Sequence, residues 1–315
     1  MRCLKTVLLI YFAVVLFGAK FKFRGTADYL AMENTSCIKG IFIIMVFLSH
    51  FNSYVDLTGW GSGIYTAFFS TVGQAMVTMF LFYSGYGIME SIKKKGDSYV
   101  SQIPVKRFLA TLFKFDCAVV LYYILGLILS REMSAKNILL SFIGWESLGN
   151  SNWYIFIIFV LYILTYIAFK FLGTKKPIFP AAVIAGLIVI LIFIASRYNI
   201  KPLYWYDTAL CFALGIFYSL YKEKVASVVN HNIVTWVITV VLAFSLYLTL
   251  RKMGTAAYLL ANLCFAFGVL TATMRITFNN KVLKWCGDNL FEIYILQRIP
   301  MISLKALGLA DFNII

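Results

Sequence analysis

Lys39 and His50 are the two side chains around which the chemistry of this sequence turns. They stand eleven residues apart in the apolar run of residues 38–54, IKGIFIIMVFLSHFNSY. In a helix that rises about 1.5 Å per residue they lie about 16 Å apart along the axis, and three turns leave them on nearly one face. A cation at one membrane surface is thus in line with an imidazole inside the hydrocarbon. Ionisable groups at membrane depth are costly and mark functional sites. Imidazole is the side chain best suited to move a proton near neutral pH. The plainer role for His50 is a buried ring bonded to a neighbouring backbone carbonyl.

The elements that must hold this pair are membrane helices. Of 315 residues, 62% are hydrophobic, 17% aromatic and 13% charged, whereas soluble domains carry about 25% charge. The many long apolar runs predict an all-α integral membrane protein. It reads as a polytopic bundle of about ten transmembrane helices, over residues 4–19, 38–54, 71–91, 105–129, 151–171, 178–196, 204–221, 232–250, 255–275 and 288–308. The first run has the basic start of a signal peptide. Its cleavage would leave Lys20, Lys22, Arg24 and Lys39 on the translocated side of the next span, against the positive-inside bias. It is therefore expected to stay as a span, with the N- and C-termini outside. Residues 1–34 then form a helix with a basic cytoplasmic linker, and residues 35–315 the main membrane domain. The net charge of +15 invites a nucleic-acid reading. The cations lie at span ends, where membrane topology accounts for them, so no nucleic-acid partner is expected. The six cysteines are scattered, which predicts neither metal site nor disulfide framework but small buried hydrophobes. No GxSxG, Walker-type loop or HExxH pair is present.

Other polar residues cluster at the span ends. Pro104 suits a helix start, Lys106 and Arg107 mark a cytoplasmic entry, and Lys114 falls two turns deeper than Arg107 on the same face. Such a ladder suits a phosphate-bearing donor, although snorkelling serves Arg107 equally well. Lys114 and Asp116 need partners within the bundle. Ser84, Gly85 and Gly87 allow close helix approach, and Lys93, Lys94 and Lys95 stop the span on the cytoplasmic side. On the opposite side, Tyr54, Trp60 and Tyr65 follow His50, and Asn152, Trp153 and Tyr154 open the fifth span. These aromatics suit either a sugar-covering surface or interfacial anchoring. Glu146 is the carboxylate of the outside loop that precedes Asn152, and Asp207 stands near the outer end of the seventh span. His231 reads as a solvated loop residue, and Asn262 as interhelical glue. Gly287, Asp288 and Asn289 form a turn and cap. Glu292 and Arg298 follow at or near membrane depth, with Glu292 a candidate partner for His50 or for Lys114.

Four pieces of this chain resemble acyltransferase family 3, the bacterial integral-membrane O-acyltransferases that modify surface glycans. They are Ile38-Lys39-Gly40 running to His50-Phe51, the run from Phe82 to Tyr86, Asn152-Trp153-Tyr154, and the run from Gly287 to Leu296. The resemblance spans about residues 35–310. It implies His50 as the catalytic base, Lys39 as its basic companion where the family has Arg, and acetyl-coenzyme A as a cytoplasmic co-substrate. Lys39, Lys106, Arg107 and Lys114 would then hold the donor's phosphates, with no metal involved. Ser84 and Tyr83 would stabilise the oxyanion, Glu292 would orient His50, and Trp153, Asn152 and Gln297 would line the acceptor site. The acceptor would be an exported or lipid-linked glycan, reached at the bacterial cytoplasmic membrane. Departures from the family are Lys39 itself, Ala110 in place of a second Arg, and Gln297 where a His is common. The alternative from another class is a transporter or flippase for a lipid-linked or acidic solute, with Lys39, Lys114 and His50 as a relay.

Overall fold

A computed structural model of the chain describes residues 2–26, 28–54 and 62–309. The chain runs through α1 (Arg2–Leu16), β1 (Ala19–Phe21), α2 (Met32–Phe51), α3 (Ser62–Val72), α4 (Thr78–Lys95), α5 (Asp97–Val100) and α6 (Ala110–Ile128). It continues through α7 (Ala135–Ser141), α8 (Trp153–Leu172), α9 (Ile178–Arg197), α10 (Leu210–Val229), α11 (Ile233–Leu250) and α12 (Thr255–Thr273). Then come β2 (Ile276–Phe278), α13 (Lys281–Asp288), α14 (Leu290–Leu296) and α15 (Arg298–Ala306). Among the described residues, 7 helical segments are long and apolar enough to cross a bilayer: Met32–Phe51, Gly63–Lys95, Asp97–Ile128, Trp153–Leu172, Ile178–Arg197, Ile233–Leu250 and Thr255–Thr273. The other three expected spans take different forms. The 15-residue α1 is short, α10 carries Lys222, Glu223 and Lys224 in its second half, and the last run is broken into α13, α14 and α15.

Loop contacts sort the helix ends into two sets. At one end β1 pairs antiparallel with β2, Lys20 opposite Thr277. Thr174 donates to Asp97 at 2.9 Å, and Glu90 takes Lys93 and Lys222 at 2.7 and 3.1 Å. This end carries Lys20, Lys22, Arg24 and the Lys93 to Lys95 run. At the other end Lys201 pairs with Glu146 at 3.1 Å, and Arg251 donates to the Ser70 carbonyl at 2.5 Å.

Two helix crossings bring backbones into contact. A Cβ on Gly40 or Gly287 would strike the Leu283 or Ser36 carbonyl across the α2–α13 crossing, and one on Gly85 or Gly215 would strike Phe212 or Phe82 across α4–α10. Gly85 thus serves the close approach expected of it. Gly87 faces open space and takes no part. Asn262 ties α12 to the turn that precedes α10 rather than to a helix, its amide donating to the Asp207 carbonyl at 3.1 Å. His231 is exposed. Cys117 is exposed rather than buried, whereas Cys37 and Cys211 are buried.

Segment boundaries differ from the periodicity in three places. The stretch expected as loop up to Ser70 is helical from Ser62. The seventh span starts at Leu210, after a short turn at Leu203–Trp205. The last run begins at Lys281, seven residues early, because Asn280 caps it by accepting from Val282 and Leu283. Trp60 lies outside the described residues, as do Met1 and residues 310–315.

Candidate active site

His50 lies near the C-terminal end of α2, in the wall of a cavity of about 410 Å³ at the end of the bundle away from the lysine run. Three breaks in regular helix make room for this cavity. Gly73, at φ +49°, turns the chain from α3 into a 3-10 segment, Gly73–Val77, in a conformation that a Cβ would oppose. This segment brings Gly73 and Gln74 to the cavity. The second break is the loop that supplies Ser147, Asn150, Ser151 and Asn152 before α8 opens with Trp153. The third separates α14 from α15 at Gln297. Pro300 has no N–H for the Leu296 carbonyl and its ring crowds that carbonyl, so a regular helix cannot pass. This break puts Arg298 in the cavity wall with Tyr294 and Gln297 against the imidazole.

The imidazole Nδ1 is buried without a hydrogen-bond partner among the described residues, as is Gln297 Oε1. One Nε2–H of Gln297 is engaged locally, donating to the Tyr294 carbonyl at 3.1 Å. Arg298 acts on His50 electrostatically. The Tyr294 ring centroid is 6.5 Å from that of His50.

From Tyr294 a line of polar aromatics runs toward the basic end. Tyr154 packs edge-on to Tyr294 at 5.2 Å between centroids and lies within electrostatic reach of Tyr162. The Tyr162 hydroxyl meets Ser84 Oγ at 3.2 Å and is coupled to Arg107. Arg107 Nε donates to the Tyr99 hydroxyl at 2.9 Å. Tyr83, beside Ser84 on α4, has a buried hydroxyl without a partner among the described residues. Tyr294, Tyr154 and Tyr162, the last bonded to Ser84, therefore lie in order between the cavity and Arg107 at the basic end.

The structure brings together His50, Asn152, Trp153 and Gln297 around the cavity, and Ser84 with Arg107 around Tyr162. It does not gather the four expected donor-binding cations. Lys39 is held beside Asp288 and Lys284, which themselves pair at 2.5 Å. Lys106 is exposed. Lys114 is exposed and pairs with Glu292 at 2.8 Å, so the inward ladder from Arg107 to Lys114 is absent. The reason is a π-helical stretch, Pro104–Leu109, whose wider turn shifts the helix phase. Glu292 is correspondingly placed on Lys114 and not on His50. Tyr65 is almost wholly buried and donates to the Leu48 carbonyl at 2.7 Å, so it pins α3 to α2 and offers no face to a sugar. Asp116 Oδ1 is buried without a partner among the described residues.

Arg298 and Tyr294 are among the cavity residues that sequence reasoning left without a role, with Gln74, Ser147, Asn150 and Ser151. The available signal was an arginine at membrane depth, two positions before a proline, in an otherwise apolar run.

The family model of acyltransferase family 3, an acyltransferase domain, matches residues 34–313. No curated protein and no solved structure matches the chain.

Proposed function

Since the chain belongs to acyltransferase family 3, we propose that this membrane acyltransferase is an O-acetyltransferase, moving an acetyl group from cytoplasmic acetyl-coenzyme A to a hydroxyl of an extracytoplasmic or lipid-linked glycan in a bacterial cell membrane. The observation that carries this reading is the polar aromatic line between Arg107 and the His50 cavity. The positive-inside bias assigns the lysine-rich end to the cytoplasm. Arg107, with Lys106 beside it, binds the donor phosphates, Arg107 with the better fork, whereas Lys39 is held beside Asp288. Lys114 is already engaged by Glu292 and is left out of this set. The pantetheine arm passes Ser84 and Tyr83 on α4, whose hydroxyls serve the arm or the thioester oxygen. The acceptor enters the opposite cavity, with Asn152 and Trp153 at its wall.

His50 takes the proton of the acceptor hydroxyl as the oxygen attacks the thioester carbonyl. The tetrahedral intermediate then collapses, the carbon–sulfur bond breaks, and the imidazolium returns its proton to the leaving thiolate. Gln297 Oε1 is the acceptor at hand for an imidazole N–H, so Gln297 selects the tautomer. No observation favours the transporter reading.

The test is release of coenzyme A thiol from acetyl-coenzyme A by purified protein with cell-envelope glycan. A His50→Ala protein of unchanged thermal stability should lose at least about 100-fold, the usual contribution of general-base catalysis. Equal release by both proteins would remove His50 from the chemistry.

A further inference from the structure

The cavity beside His50 holds a cation that no carboxylate among the described residues pairs with. Arg298 lines the cavity, and its Nε is buried without a hydrogen-bond partner among the described residues. The ion pairs among the described residues engage Glu90, Glu146, Asp288 and Glu292, and none of them includes Arg298. No acidic side chain is among the described residues that line the cavity. A further donor there is unpaired as well: Asn150 Nδ2 is buried without a partner among the described residues. Arg131 adds a second cation close by, its guanidinium lying beside Gly149 of the same loop.

An uncompensated guanidinium at membrane depth is costly. A cavity open to solvent, lined by a guanidinium and by no carboxylate among the described residues, selects a ligand that brings negative charge. Resting on the acyltransferase reading above, we infer that the acceptor is an anionic glycan, carrying a carboxylate or phosphate near the hydroxyl to be acylated, and that Arg298 binds this anion. The planar fork of Arg fits both oxyanions bidentately. Anchored there, the sugar presents a neighbouring hydroxyl to His50, which senses the same guanidinium. Arg298 is thus a specificity-determining residue for acceptor charge.

The experiment measures equilibrium binding of methyl glucuronide, glucose 1-phosphate and methyl glucoside to the full-length protein in lipid nanodiscs. At least one anion should bind about tenfold more tightly than the neutral glucoside, as expected for a charge-assisted fork. Arg298→Gln should bring that ratio to within about twofold, and Arg298→Lys should keep part of it. The carboxylate and phosphate arms separate the two anion classes. Salt gives a readout that needs no variant: raising it should weaken the anions and leave the glucoside unchanged. No anion preference in the wild-type protein, failure of both anions to bind included, overturns the proposal. So does an unchanged ratio in Arg298→Gln, the result expected if Arg298 only stabilises the oxyanion. Thiol release is read separately with the same three sugars. Anion preference without turnover would count against the acyl-transfer reading and uphold the anion site. Turnover without preference would do the reverse.

Discussion

At the residue scale, the site turns on which groups reach His50. Glu292 looks from the sequence like an orienting carboxylate, yet it is half-exposed and bound to Lys114. Exposed pairs of this kind contribute roughly 0–1 kcal/mol. Glu292→Gln should therefore leave thiol release within about twofold of wild type and shift thermal stability by less than about 1 kcal/mol; a loss on the scale of His50→Ala would place a carboxylate back beside the imidazole. Gln297 stands against the ring instead. Arg107 reaches Tyr99 and Tyr162, on the proposed donor path, from the basic end, away from the imidazole. Arg107→Ala should raise KM for acetyl-coenzyme A by about tenfold while kcat changes less, the pattern of lost uniform binding. An equal fall in kcat and kcat/KM would assign Arg107 to the transition state.

At the element scale, helix breaks and glycine crossings position these residues. Pro300→Ala would supply the missing N–H and remove the ring clash, letting α14 run on through Gln297. The helix should be at least as stable, and thiol release should fall by at least about tenfold as Gln297 and Arg298 turn away, given the sensitivity of catalysis to displacements of about 1 Å. Unchanged release with an intact fold would show that the break has no bearing on the site. The two glycine crossings make a matched pair of tests with Gly87. Gly287→Ala places a methyl group against the Ser36 carbonyl and should cost about 3 kcal/mol or more, at the upper end of overpacking effects. Gly87→Ala meets open space and should be neutral or gain up to about 1 kcal/mol from helix propensity. Melting of the purified variants in detergent separates the two.

At the scale of the whole molecule, the loops form a basic end and an opposite end, and the cavity opens at the latter. A membrane-impermeant maleimide applied to intact spheroplasts should label a cysteine at 201 and spare one at 174, in a background without native cysteines. The reverse pattern would put His50 toward the cytoplasm and require donor and acceptor to exchange sides.

The class of molecule was legible in the sequence because membrane burial acts on composition. Long apolar runs and clustered lysines are local signals, readable one segment at a time. Family membership was legible too, because it resides in short pieces such as Ile38-Lys39-Gly40 and Gly287-Asp288-Asn289. What surrounds His50 was not. Helical phase carried Lys114 onto the face of Arg107 only on the assumption of an unbroken α-helix, and the π-helical stretch at Pro104–Leu109 removes that register. Glu292 and Arg298 are both charges in one span, six residues apart, and nothing in their types says which faces the imidazole. The Pro300 break, the α2–α13 crossing and the competing partner Lys114 decide it together. The Pro300 break is local, but the crossing and the Lys114 pair join residues far apart in the chain, so only the tertiary structure could leave Glu292 with a lysine and Arg298 facing a cavity with no carboxylate among its described lining.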